Sequence, residues 1–150
     1  MHRVSWYKRD LVIGILLGII GGFCSFSISA AEPLENLDGE LLHTQLVKTA
    51  ITYDYFNQRC RGVRASTNAS AVNRLLIQKY RLTLNNFIKQ YIASDAEKVQ
   101  IQLKNDLYRQ IADLDGCQSA RDKGLESSIK SDYRQLFEKV EDSSWFPVMD

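Results

Sequence analysis

Cys60 and Cys117 constrain this chain most, because they are the two cysteines that remain once an export-type N-terminal segment is set aside. That segment, MHRVSWYKRDLVIGILLGIIGGFCSFSISAAE, has a basic start (Arg3, Lys8, Arg9), an apolar run from Leu11 to Phe26 and small residues before Glu32. This is the layout of a secretory signal peptide. Cleavage after Ala31, or one residue earlier, leaves a domain of residues 32–150. Left uncut, Leu11 to Ala31 is long enough to anchor the chain in the inner membrane. Cys24 follows Phe23 rather than the small residue that lipoprotein signals require. In an oxidising compartment an even cysteine count favours one bridge, so a Cys60–Cys117 disulfide is expected.

Apolar spacing in the exported portion is helical throughout. Asp38 is a candidate N-cap, followed by Leu42, Leu46, Ala50, Tyr53, Phe56 and Cys60 at three- and four-residue intervals, ending near Arg61 and Gly62. The polar stretch RASTNAS reads as a loop. A second stripe joins Val72, Leu76, Tyr80, Leu84, Phe87 and Tyr91, as one kinked helix or as two, with Thr83 a possible cap. Ser94 and Glu97 spell a capping box before a third stripe of Val99, Leu103, Leu107, Ile111 and Leu114, closed by Gly116. A fourth runs through Leu125, Ile129, Tyr133, Leu136, Phe137 and Val140. No segment alternates as a strand does.

Four helices joined by short connections fold up, down, up and down, so the expected architecture is an all-α four-helix bundle. Cys60 at the end of the first helix and Cys117 between the third and fourth then meet at one end. That agreement supports a structural bridge. A redox role would call for a close CxxC pair or an activated thiolate.

Composition removes several function classes. With 19 Lys and Arg against 18 Asp and Glu the chain is close to neutral, which argues against a nucleic-acid or anionic-surface binder. His43 is the one histidine after the signal, so a Cys/His zinc site cannot be assembled, and no metal or other cofactor is expected. His43 also lacks a recognisable nucleophile partner and reads as a helix-surface or core-edge residue, so no catalytic residue is assigned and the chain is not expected to be an enzyme. Asp106, Asp113 and Asp115 read as solvated or matched with Arg109 and Lys104.

Three further features carry functional alternatives. Arg59, Arg61 and Arg64 surround Cys60 and offer cations to a partner's carboxylates, against a default of a solvated loop. Asn68, Ala69 and Ser70 match a glycosylation sequon, relevant in a eukaryotic secretory pathway alone. The ending SSWFPVMD cannot continue a helix past Pro147. Its Trp145 and Phe146 are expected to fold back over the core, with a partner-binding aromatic tail as the alternative.

The segments YFNQRC and DLYRQIADLDGC, followed by a helix with QSARD, resemble the PulS/OutS pilotins of bacterial type II secretion over roughly Leu41 to Tyr133. The resemblance implies a disulfide-stapled helical bundle in the periplasm that binds a short helical C-terminal segment of an outer-membrane secretin. It also implies a groove lined by apolar helix residues, for which Leu46, Tyr53, Leu107 and Ile111 are the candidates. Lipid-borne escort is not carried over, given Phe23 before Cys24. A second comparison, over CQSARDKGLESSIKSDYRQLFEKVED, is with periplasmic acid-stress chaperones similar to HdeA, which implies exposure of apolar surface on acidification. An envelope structural or interaction protein is the third reading.

Overall fold

A computed structural model describes Leu34 and residues 37–148. The segment read as a signal peptide, 1–31, lies outside the described residues.

The first stripe forms the longest helix, α1 (Gly39–Arg61). It ends where Gly62 takes a left-handed conformation (φ 68°) and turns its amide back to the carbonyl of Asn57. Glycine adopts that conformation without the Cβ clash other residues meet. Val47, Ile51 and Asp54 are buried along with Leu42, Leu46, Ala50, Tyr53 and Phe56 of the predicted stripe, because α1 is central and packs against helices on several sides.

The second stripe is two helices, α2 (Thr67–Tyr80) and α3 (Leu84–Tyr91). Arg81 breaks the run with φ 60°, and Thr83 caps α3 by accepting from the Asn86 amide at 3.2 Å. The Leu84 amide is taken by the side-chain oxygen of Asn73 in α2 at 2.8 Å. Helix α4 (Ala96–Asp113) starts one residue later than the capping-box reading implies. Asp95, not Ser94, is the cap, accepting from the amides of Glu97 and Lys98 at 3.1 Å. After α4, Asp115 and Gly116 both take positive φ, and the Gly116 amide returns to the Ile111 carbonyl at 2.8 Å. A short α5 (Cys117–Asp122), unforeseen from the spacing, precedes α6 (Leu125–Asp142). The described residues therefore hold six helices rather than four.

Contacts fix the directions. Tyr80 at the end of α2 meets His43 near the start of α1, while Asn68 at the start of α2 meets Asp54. Cys60 and Cys117 are disulfide-bonded with Cα atoms 5.3 Å apart, which joins the end of α1 to the segment after α4. Arg61 pairs with Glu126 at the start of α6, and Lys139 near its end donates to the Leu34 carbonyl. The long segments thus alternate in direction around α1, with the disulfide at one end, as the topology argument requires.

Two apolar clusters fill the interior. The larger joins Leu46, Leu76, Phe87, Leu136 and Val140. The smaller, at the disulfide end, joins Tyr53, Phe56, Leu107, Ile111, Ala120 and Ile129, with Cys60 and Cys117 against it. Lys79 closes α6 by donating to the carbonyls of Val140, Glu141 and Ser143 at 2.6–2.9 Å. A cation suits the negative end of the helix dipole.

Candidate functional site

The four residues proposed to line a groove do not form an open one. Leu46 has no exposed surface, and Tyr53, Leu107 and Ile111 are 8, 2 and 4 % exposed. Each is held by the packing just described, Leu46 in the larger cluster and the other three in the smaller. The same apolar spacing that nominates a groove residue also nominates a core residue, and here the core takes all four.

An accessible depression lies next to them. Helices α4 and α6 both pack on α1 without extensive contact with each other. Between them a recess of about 240 Å³ has Gln45, Lys48, Thr49 and Thr52 of α1 as its floor, Leu103 of α4 on one side, and Ile129 and Asp132 of α6 on the other. Leu41, 49 % exposed, continues the same strip one turn toward the start of α1. The strip closes toward the disulfide, where Leu107 and Ile129 share a cluster with Phe56. From Leu41 to Thr52 it is about 17 Å long at the helical rise, enough for three turns of a partner helix.

The floor is polar, Leu103 gives the α4 side an apolar edge, and on the α6 side Asp132 stands beside the buried Ile129. Gln45 donates to Thr49, and Lys48 has no ion-pair partner among the described residues. Burial raises the Asp132 carboxyl above its ordinary value, partly offset by a hydrogen bond with Ser128. A larger recess of about 670 Å³ at the start of α1 and end of α6 carries Asp38, Glu138, Lys139 and Asp142 on its walls. Its charged lining suits a docking helix less well.

A second site was not foreseen as one. His43, read as a surface or core-edge residue, is fully buried. It contacts the Tyr80 hydroxyl at 2.7 Å and the Gly39 carbonyl at 2.6 Å, and the Trp145 indole lies on it with ring centroids 4.4 Å apart. Trp145 folds back over the core as expected. Phe146 does not bury: it stands edge-on to Tyr80 and is 62 % exposed. A signal for His43 exists in the row His43, Val47, Ile51, Asp54, whose steps of four, four and three residues mark a second inward side of α1.

The remaining candidates take ordinary places. Arg61 is paired with Glu126, and Arg59 lies over the Tyr108 ring at 5.3 Å. Lys104 lies over Tyr55 and Tyr108 rather than pairing with a carboxylate, while Asp106 pairs with Arg109 and Asp115 with Lys123. Asn68 of the sequon is turned inward onto Asp54. Among the described residues no group of His, Cys, Asp and Glu could hold a metal ion, and no helix is long and apolar enough to cross a membrane. Comparison with protein-family models, with curated proteins and with solved structures finds no match.

Proposed function

We propose that this protein is a periplasmic protein-binding module that receives a short helical segment of an envelope partner, with the C-terminal segment of an outer-membrane secretin as the first candidate. The observation that carries this reading is the strip of α1 between α4 and α6, with a polar floor of Gln45, Lys48 and Thr52 and the half-buried Leu103 along one edge. A helix laid there would place apolar side chains against Leu103 and Leu41 and polar ones over Gln45, Lys48 and Thr52, which is helix-in-groove recognition. The disulfide supports this role by holding the end of α1 and the segment after α4 together, so the groove is shaped before a partner arrives.

The test is capture from an envelope extract at neutral pH, with the oxidised full-length protein and its Thr52→Trp variant as baits. Recovery of one secretin by the wild type, displaced by that secretin's C-terminal peptide and lost with Thr52→Trp, is the expected result. Equal recovery by both baits removes the α1 strip as the site, and absence of any secretin removes the pilotin-like reading. An acid-responsive chaperone is the second reading, favoured by one observation: the burial of His43 beneath the C-terminal segment.

A further inference from the structure

After α6 the chain leaves helical geometry at Ser143, and 145–148 cross the end of the bundle as an extended strap. Trp145 sits on His43 and meets Tyr80 and Tyr91 edge-on at 6.0 and 5.7 Å. Pro147 is fully buried, and the Val148 carbonyl accepts from Gln90 at 2.6 Å and from the Tyr91 hydroxyl at 2.8 Å.

Beneath the strap the hydrogen bonds of His43 fix its tautomer. A carbonyl can only accept, so Nδ1 carries the proton and donates to Gly39. Nε2 then holds the lone pair and accepts from the Tyr80 hydroxyl. Both nitrogens are satisfied in the neutral ring. A second proton would go on Nε2, and although the Tyr80 hydroxyl could turn to accept from it, the charge would stand in an apolar surround. The groups facing the ring are the Gly39 carbonyl of α1, the Tyr80 hydroxyl and more distant Lys79 ammonium of α2, the Phe87 ring of α3, and the Trp145 indole of the strap. Among the described residues no carboxylate stabilises the charged form, and burial holds the imidazole below its ordinary value.

A buried charge seeks water by the route that breaks least structure. Helices α1, α2 and α3 cover His43 with residues of the larger cluster, and moving them dismantles it. The strap is four residues without helical bonds, with Phe146 and Val148 already 62 and 73 % exposed. We infer that the C-terminal strap is an acid-released cover: protonation of His43 undocks Trp145 and opens the aromatic surface of His43, Tyr80, Phe87 and Tyr91 to solvent. This holds whether or not a helix docks on α1.

Acrylamide quenching of Trp145 tests it, in full-length protein carrying Trp6→Phe so that one tryptophan reports, at about pH 7.5 and about pH 5. Quenching should rise severalfold at the lower pH, with a midpoint that matches the titration of the His43 ring followed by NMR. The same measurement on His43→Gln, which keeps an acceptor for Tyr80 and loses the titration, should show no such rise. Equal quenching at both pH values overturns the inference, as does a response that persists in His43→Gln. Should that variant fail to fold, a quenching midpoint that departs from the His43 titration overturns it equally.

Discussion

The carboxylate of Asp54, in the middle of α1, caps α2 by accepting from the amide of Ala69 at 2.8 Å. Its other oxygen accepts from the amide and side chain of Asn68 at 3.1 and 2.8 Å. Ser66, the residue in N-cap position, makes no side-chain cap bond, so a neighbouring helix supplies the acceptor. Asp54 is 3 % exposed, and its removal leaves these donors unsatisfied at a buried helix start. Asp54→Ala should cost about 2–3 kcal/mol, and Asp54→Asn, which keeps one acceptor, about 1 kcal/mol. Urea unfolding of the oxidised protein measures both, and a loss below that of an ordinary surface substitution would remove the cap from the account.

This cap shows why the sequence is legible in some places and silent in others. Helix positions follow from period alone, because each long helix buries a stripe and the stripe is written in Leu, Ile, Val and aromatic residues. The meeting of Cys60 and Cys117 follows from that period plus short connections. Asp54 and Asn68 lie 14 residues apart, beyond any local motif, and their pairing appears only once α2 folds back on α1. The strip Gln45, Lys48, Thr52 reads as an ordinary solvent face. That it is flanked by two helices is a property of the packing, whereas the apolar spacing points to Leu46, Tyr53, Leu107 and Ile111, which form core.

The Cys60–Cys117 bridge spans a separation of 57 residues. Closing a loop of that length removes denatured-chain entropy worth about 4 kcal/mol. Against a total of about 5–15 kcal/mol for a typical domain, that is a large share. Cys60→Ser should therefore lower the urea midpoint of the oxidised protein sharply while leaving that of the reduced protein nearly unchanged. Equal midpoints for oxidised wild type and Cys60→Ser would deny the bridge a stabilising role.

Gly39 joins the start of α1 to the strap. Its φ is +48°, and an added Cβ would stand 3.3 Å from Trp145 Cδ1, while its carbonyl is the acceptor for His43. Gly39→Ala combines a left-handed backbone cost with pressure on the indole, about 1–2 kcal/mol together. Because the pressure falls on the strap, the variant should show raised acrylamide quenching of Trp145 at neutral pH, in the Trp6→Phe background. Unchanged quenching would place the cost in the backbone alone.

Stability should depend on pH through two groups of opposite sign. Burial lowers the folded-state value of His43 below its ordinary 6.5, so the unfolded chain takes up a proton before the folded one does. Its contribution is fully present above 6.5 and is lost as pH falls from there toward the lowered folded value. Asp132 works the other way. Its folded-state value is raised above 3.8 by burial, so the folded chain binds a proton first and stability is regained as pH falls from that raised value toward 3.8. Urea midpoints taken downward from neutral pH should fall through the histidine window, and proton uptake by Asp132 should oppose that decline in its own window. His43→Gln should remove the first phase and leave the second, and Asp132→Asn the reverse. A first phase that survives in His43→Gln would assign the acid response to other groups and leave His43 a neutral core residue at every pH at which the protein is folded.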